Sequence, residues 1–196
     1  LERDLKELAP SSTGGRDEER ISIAINADSI ATWALGALTP LARSGLPIEI
    51  IHDDQDFTQE WLREGQVLGC VTSIGQALRG CRMEALGSMD YVAVAAPGYA
   101  ADQLPAGLNA HNFHQVPFMT FNRKDDMQRE FVARAFGLRR VMLRQIYVPS
   151  SEGQVIAALG GWGVAVVPEL LVRERLASGA LVDVAPGRSL GVRLYW

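Results

Sequence analysis

Apolar and polar positions follow two alternating periods along the first half of the chain. Three strand-like runs are separated by two helix-like runs, in the order 20–26, 29–45, 47–54, 57–66 and 67–73. The period-2 or continuous apolar runs predict strands, and the 3.6-residue period predicts helices. A β-α-β-α-β order predicts parallel strands joined by right-handed crossovers.

The second half repeats this order without repeating the sequence. An extended segment that ends in a turn is predicted at 81–100, and a short helix followed by a strand at 111–122. Strands and helices then alternate at 125–137, 144–150, 151–161, 162–168 and 169–179, before two final strands in ALVDVAP and GVRLYW. The pattern predicts an α/β fold of two Rossmann-like lobes, similar to the two-lobed design of periplasmic-type binding folds. Ligands of such folds lie between the lobes, outside the carboxyl ends of the strands.

The segment before the first strand predicts the end of a helix and a linker. Leu1, Leu5 and Leu8 share one helical stripe, Pro10 ends the pattern, and PSSTGGRDEER is rich in turn formers and charge. A helix this short is marginal alone. Because the first residue is not methionine, we expect the short helix at 1–9 to continue a longer helix of a parent protein.

Composition narrows the function classes. The chain has 196 residues and a formal net charge of −4, which argues against nucleic-acid binding by this part alone, because phosphate binding needs a concentrated basic face. No apolar run approaches the roughly 18 residues typical of a membrane span, and no secretory signal is present. We therefore expect a cytoplasmic protein that does not contact the membrane. The two cysteines, Cys70 and Cys81, are expected to be reduced thiols.

The sequence lacks the patterns that mark common enzymes. It has no nucleophile elbow, no phosphate-binding loop and no dinucleotide fingerprint. His111 and His114 lack a third ligand at metal spacing. The acids Asp53, Asp54 and Asp56 fit either an acid/base set or a solvated loop. We predict no enzymatic activity, no metal and no cofactor.

Polar stretches follow four of the predicted strands, at 26–29, 72–73, 121–126 and 150–152. A helix start offers free N–H groups and the positive end of the macrodipole, which favour an anion. Ser29 and Ser151 each stand at such a start. Their other interpretation is ordinary N-capping, worth about 1 kcal/mol each.

Two segments resemble a known family. VIAALGGWGVAVVPELLV (155–172) and LREGQVLGCVTS (62–73) resemble the effector-binding domain of LysR-type transcriptional regulators. Further segments resemble the ArgP/LysG branch, which responds to lysine and arginine and controls basic amino-acid export. They are NADSIATWALGALTPLA (26–42), LGSMDYVAV (86–94), DDMQREF (125–131), VPSSEGQV (148–155), LASGALVDVAPG (176–187) and LYW (194–196).

The resemblance implies a fold of periplasmic-binding-protein type (type 2), with two lobes joined by hinge strands, and it also implies a domain plan and partners. Residues 1–20 would be the end of the linker helix and the linker, 21–86 plus 183–196 regulatory lobe one, and 87–182 lobe two. The family's N-terminal winged helix-turn-helix, which would bind DNA, is absent from this chain, and so is the helix expected after Trp196. A homodimer is implied, with lobe one against lobe two of the partner, and a tetramer is a further option for the full-length protein.

The effector implied is free L-lysine or L-arginine. Hydrogen-bond donors for its α-carboxylate are expected among Asn26, Ser29, Thr72, Ser73, Ser150 and Ser151. Acceptors for its cationic groups are expected among Asp28, Asp125, Asp126 and Glu152, because a buried cation without a carboxylate is costly. Phe121 would cover the aliphatic stem or be an ordinary core residue. The alternatives are a LysR-type sensor of a different small metabolite and a solute-binding protein of the same fold.

Overall fold

The computed structural model describes residues 20–53, with the side chain of Asp53 left out, and residues 58–196. The predicted helix and linker at 1–19 lie outside the described residues, and so do Asp54 and Asp56. Two compact units are present. Unit 1 comprises Leu1–Ser88 and Arg193–Trp196, and unit 2 comprises Met89–Val192.

Unit 1 contains a three-stranded sheet in which all pairings are parallel, as the sequence predicts. Its strands are β1 (Ile21–Asn26), β2 (Ile48–Asp53) and β3 (Gly69–Cys70), in the order β2-β1-β3. The central strand β1 is buried at nearly every position, which explains its almost continuous apolar sequence. The predicted strand at 67–73 is shorter than expected, because the chain leaves the ladder after Cys70.

Two helices connect these strands. The first, α1, runs over 27–43 in three consecutive pieces: an α-helical turn (Ala27–Ser29), a π-helical turn (Ile30–Ala34) and an α-helix (Leu35–Arg43). The second, α2, is Thr58–Arg63. The small core beneath α2 consists of Ala24, Val67 and Cys70, packed by Ile51, Trp61 and Leu62.

Most of the second, mixed sheet belongs to unit 2. Its strands are β4 (Ala85–Ala95), β5 (Pro117–Thr120), β6 (Arg144–Tyr147), β7 (Val164–Pro168), β8 (Val182–Asp183) and β9 (Leu190–Tyr195). The order is β6-β5-β7-β4-β8, and β9 pairs with β4. Strand β5 is parallel to β6 and β7, whereas β4 is antiparallel to β7 and β8.

The helices of unit 2 are α3 (Pro97–Gln103), α4 (Met127–Phe136), α5 (Ser151–Leu159) and α6 (Glu169–Ala177). Gly137 follows α4 with φ of 67°, the left-handed geometry that favours glycine at a helix end. The core is one apolar cluster built mainly from β4, β5, β7 and α5: Val92, Val94, Met119, Val155, Ala157, Ala158, Ala165, Val167, Val172 and Leu181.

Two predicted segments differ from the structure. Where the sequence predicts a turn at the end of the extended segment 81–100, the structure has helix α3, in which Pro97 occupies a first-turn position where its missing N–H costs nothing. The short helix expected after His111 is a turn instead. There the Asn109 Oδ1 accepts a bond from His111 N at 2.9 Å, and the Asn112 Oδ1 accepts one from Asn109 N at 2.8 Å.

The chain passes from unit 1 to unit 2 within β4 and returns within β9. Residues 183–192 group with unit 2, whereas the sequence prediction assigned them to the first lobe. The reason is that β8 pairs with β4, and the Val184 N–H donates to the Ala93 carbonyl at 2.9 Å. None of the helices described is both long and apolar enough to span a membrane.

Candidate functional site

In unit 1, the predicted site residues gather at the carboxyl edge of the parallel sheet. Asn26 is the last residue of β1, and the register pairs Ala24 with Cys70. The Val71 N–H donates to the Ala24 carbonyl at 2.9 Å, which continues this alignment toward Thr72. The structure therefore brings 26–29 and 72–73 to one edge, as strands of equal direction require.

Asn26 and Ser29 both carry a buried polar atom without a hydrogen bond. Asn26 is 2% exposed and Ser29 is 0% exposed. No partner among the described residues reaches Asn26 Oδ1 or Ser29 Oγ. Leaving a buried polar group unsatisfied costs about 1–3 kcal/mol. Two such atoms at one helix start therefore lower the stability of the fold, and they call for an explanation.

The start of α1 is not an ordinary N-cap, and the placement of Ser29 at the N-cap was wrong. Asn26 holds the N-cap position with φ of −67° and ψ of 151°, yet its side chain makes no capping bond. Ser29 lies inside the helix, because the helix begins two residues before it. The capping interpretation of Ser29 therefore fails, and its hydroxyl has no local use.

A π-helical turn follows directly after Ser29. In this turn the Thr32 hydroxyl donates to the Asp28 carbonyl at 2.6 Å. Such turns are frequent at functional sites, since they widen a helix locally. Asp28 is partly exposed and lies in the first turn, so unit 1 offers a carboxylate beside the two unsatisfied oxygens.

Thr72 is held firmly by the end of β9. Its N–H and carbonyl pair with the carbonyl and N–H of Tyr195, each at 2.9 Å, and its hydroxyl accepts from Ile74 N at 3.1 Å. The Thr58 hydroxyl donates to the carbonyl of the preceding Val71 at 2.5 Å. Thr72 is buried, whereas Ser73 is partly exposed. Thr72 is thus a fixed point of the edge.

In unit 2, the other predicted residues gather at the carboxyl edge of β5 and β6. Thr120 pairs with Tyr147, and the Val148 N–H donates to the Thr120 carbonyl at 2.9 Å. This register places the loop 121–126 beside the turn 148–152. Thr120 itself is fully buried, and its hydroxyl accepts from Gln145 Nε2 at 3.3 Å.

The carboxylate of Asp125 is occupied by its own loop. It accepts from Phe121 N at 2.9 Å, Met127 N at 2.9 Å and Gln128 Nε2 at 3.1 Å. The side chain is largely buried. These bonds fix the loop and use the acceptors that the sequence analysis assigned to an effector cation. Phe121, which this loop carries, is partly exposed.

The two other acids of unit 2 that the sequence assigns to the effector, Asp126 and Glu152, are exposed. Asp126 forms an ion pair with Arg129 through the next turn of helix. Glu152 lies 3.4 Å from the Ser150 hydroxyl. An exposed ion pair such as that of Asp126 contributes little to stability. Both carboxylates are exposed to solvent rather than buried beneath the carboxyl edge of β5 and β6.

Two adjacent serines stand at the start of α5. Ser150 is the N-cap, and its hydroxyl accepts from Gly153 N at 3.0 Å. Ser151 is the first helical residue and is 2% exposed. A Cβ at residue 153 would come within 3.1 Å of the Ser150 Cβ, so glycine permits the tight cap.

Sequence reasoning missed several residues of this edge. Gln128 is 2% exposed, and its Oε1 has no partner among the described residues. The Arg123 guanidinium stands 5.9 Å from the centroid of the Tyr147 ring. A glutamine in a helix and an arginine in a loop carry no sequence signal that separates them from solvated surface. Burial identifies Gln128, and the contact with the Tyr147 ring identifies Arg123.

The described residues hold no group of three or more histidines, cysteines or acids placed to bind a metal. Burial, followed by the neighbouring Cys81, raises the pKa of the Cys70 thiol to about 11. Cys70 is therefore a neutral core thiol rather than a nucleophile.

The chain matches the family model of the LysR substrate binding domain over residues 14–196. It is 42% identical over 179 residues to the HTH-type transcriptional regulator ArgP of Aeromonas salmonicida, covering 90% of this chain and 60% of that protein. It thus spans about 60% of the length of that relative.

Solved structures share the fold. The C-terminal domains of a LysR family protein from Agrobacterium tumefaciens superpose with a TM-score of 0.85 at 39% identity, covering 90% of this chain and 86% of that one. Full-length LysG from Corynebacterium glutamicum with bound effector Arg superposes with a TM-score of 0.80 at 26% identity, covering 100% of this chain and 64% of that one.

These matches agree with the sequence resemblance and favour a regulator over an enzyme. The fold expectation, α/β and similar to LysR effector domains, is confirmed by the same structures. The family match over nearly the whole chain shows that this protein belongs to the LysR substrate-binding domain family.

Proposed function

We propose that the chain is the effector-binding domain of a LysR-type transcriptional regulator that senses a basic amino acid, L-lysine or L-arginine. The observation that carries the proposal is the pair of buried, unsatisfied oxygens of Asn26 and Ser29 at the carboxyl edge of β1. The similarity to a LysG structure with arginine bound supports the same class of effector.

The chemistry of the unsatisfied atoms favours a ligand rich in N–H donors. An asparagine carbonyl oxygen can only accept a hydrogen bond, and a serine hydroxyl can accept or donate. Asp28 adds a carboxylate within the same first turn. A lysine ammonium or arginine guanidinium supplies several charged donors, whereas a dicarboxylate would meet acceptors and an acid.

The two oxygens are shielded from solvent in the effector-free chain, so an effector reaches them only after a local opening. The π-helical turn Ile30–Ala34 begins directly after Ser29. We propose that the helix start rearranges at this turn, since such turns are frequent at functional sites.

The full regulator would act through partners outside this domain. The curated relatives are named HTH-type regulators, so we propose that a helix-turn-helix domain of the complete protein binds an operator. We further propose a cytoplasmic homodimer that controls genes for basic amino-acid export. Binding changes transcription if two arrangements of the regulator differ in effector affinity, and a tenfold difference corresponds to about 1.4 kcal/mol.

Isothermal titration calorimetry of the domain tests the effector class. We expect saturable heat with L-lysine or L-arginine, and none with L-leucine or L-glutamate at the same concentrations. Equal or absent heats for all four amino acids would refute the basic amino-acid proposal. Binding of glutamate alone would instead favour a LysR-type sensor of another metabolite.

A matched pair of variants tests the place of binding. Asp28→Asn removes the carboxylate at the α1 start, and we expect weaker lysine binding. Asp126→Asn removes an exposed carboxylate already paired with Arg129, and we expect lysine affinity within about twofold of wild type, since such a pair is solvated. Unchanged affinity in Asp28→Asn would take Asp28 out of the site.

A further inference from the structure

Gln128 carries a buried amide that the local fold uses only in part. Its Nε2 donates to Asp125 Oδ2 at 3.1 Å, whereas its Oε1 is buried without a partner among the described residues. Gln128 is the second residue of α4, the helix that follows the parallel strand β5. In unit 1, Asn26 and Ser29 stand at the equivalent place, where α1 follows β1.

Packing alone does not account for a glutamine here. Methionine has a similar length and would fill the space without a stranded oxygen. The bond from Nε2 is one of three that the Asp125 carboxylate accepts, beside those from Phe121 N and Met127 N, and it leaves Oε1 without a role in the loop. A buried amide oxygen without a partner calls for an explanation.

The surroundings specify the charge of what the oxygen would bind. A carbonyl oxygen accepts and never donates. The Asp125 carboxylate adjoins the same amide, and a carboxylate repels a second carboxylate while attracting a cation. A group that satisfies Oε1 is therefore an N–H donor with positive charge, such as an ammonium or a guanidinium.

We propose that Gln128 is a specificity-determining residue of unit 2, whose Oε1 accepts an N–H from a cationic group of the effector. This inference rests on the proposed function, because it assumes that a basic amino acid binds the domain. In the structure this oxygen is buried, so the contact requires a local rearrangement of the groups that cover it. Gln128 thereby selects cationic effectors over neutral ones of similar shape.

Calorimetry with L-lysine on Gln128→Met, with Gln154→Met as matched control, tests the proposal. Gln154 is also a buried glutamine of unit 2, and its Nε2 donates to the Val148 carbonyl at 3.3 Å. We expect Gln128→Met to weaken lysine binding at least about tenfold, the size expected for one hydrogen bond to a charged group. We expect Gln154→Met to bind within about twofold of wild type.

Gln128→Glu separates an effector contact from a purely structural role. Glutamate keeps an oxygen acceptor at the same reach but places a second carboxylate beside Asp125. If Gln128 contacts the effector's cation, Gln128→Glu binds lysine more tightly than Gln128→Met. If Gln128 only supports Asp125, repulsion between the carboxylates makes Gln128→Glu the weaker binder of the two.

The outcomes separate failure of the Gln128 inference from failure of the proposed function. Lysine affinity within twofold of wild type in Gln128→Met overturns the inference, and so does equal weakening in Gln154→Met, or Gln128→Glu binding no better than Gln128→Met. These results leave the proposed function standing, because wild type still binds lysine. No binding of lysine or arginine by wild type overturns the proposed function itself. Circular dichroism melts identify any variant that fails to fold, and the ranking then uses the folded ones.

Discussion

We expect Ser29→Ala to make the effector-free protein more stable and to make effector binding weaker. The Ser29 hydroxyl is fully buried and has no hydrogen bond among the described residues. Removing it relieves a desolvation penalty of about 1–3 kcal/mol. Alanine also has a helix propensity better by a few tenths of a kcal/mol, while a small void offsets part of the gain.

The net gain in the free energy of unfolding is about 1–2 kcal/mol. For a chain of this size each kcal/mol moves the melting midpoint by about 2–4 °C, so we expect a rise of about 2–8 °C by differential scanning calorimetry. If the hydroxyl bonds a charged group of the effector, its loss weakens binding by about tenfold to a hundredfold. A substitution that raises stability while it weakens effector binding indicates that the original residue is kept for function.

Ser44→Ala is the matched control for this experiment. Ser44 follows the same helix, and its hydroxyl donates to the Leu41 carbonyl at 2.7 Å. We expect Ser44→Ala to lose stability slightly and to bind the effector as wild type does. A lower melting point together with unchanged affinity in Ser29→Ala would refute the reasoning, since it would show that the hydroxyl is satisfied in the folded protein.

Two further substitutions or titrations test the local chemistry. Asp125→Asn should lower the free energy of unfolding, measured by urea denaturation, by about 2 kcal/mol, because it replaces a buried carboxylate that accepts three N–H groups. A loss of stability no larger than that of the exposed Asp126→Asn would contradict this. Cys70 should resist thiol reagents at pH 8 while the exposed Cys81 reacts, since the pKa of Cys70 is raised from 9.0 to about 11. Because the folded pKa lies above the unfolded one, the stability from this thiol is complete below about pH 9 and is lost as the pH rises toward 11; equal reaction rates of both thiols would overturn the assignment.

The order of strands and helices follows from residue periodicity where burial is one-sided or complete. Strand β1 reads ISIAIN and is buried almost throughout, and Gly137 ends α4 with the left-handed geometry expected of it. Helix α3 was missed because the sequence predicts a turn after the extended segment, and Pro97 and Gly98 are typical of turns. Proline fits the first turn of a helix equally well, so the local pattern does not separate the two.

The positions of the candidate residues in the fold could be predicted from the sequence, but the hydrogen bonds of their polar atoms could not. Parallel strands end at a common edge, so the positions of Asn26 and Thr72 follow from the predicted order alone. The use of each polar atom depends on tertiary bonds and on helix boundaries that a pattern fixes only to a few residues. Ser29 resembles a cap in sequence, yet the helix starts earlier and buries it. The Asp125 carboxylate looks available for a ligand in sequence, yet it accepts hydrogen bonds from the backbone of its own loop and of the helix start.

These differences change which atoms are candidates for recognising a cation. The sequence favoured acids as the partners of the effector's charged groups, but Asp125 is bonded within its loop and Asp126 is paired with Arg129. Among the described residues, the buried side-chain atoms without a hydrogen bond are instead neutral oxygens: Asn26 Oδ1 and Ser29 Oγ in unit 1, and Gln128 Oε1 in unit 2. Neutral oxygens bind a cation through directed hydrogen bonds and avoid the desolvation of an additional buried carboxylate. If such an oxygen contacts the effector, as we propose, selectivity would come from the geometry of the hydrogen bond, and part of the binding energy would come from satisfying a buried polar atom.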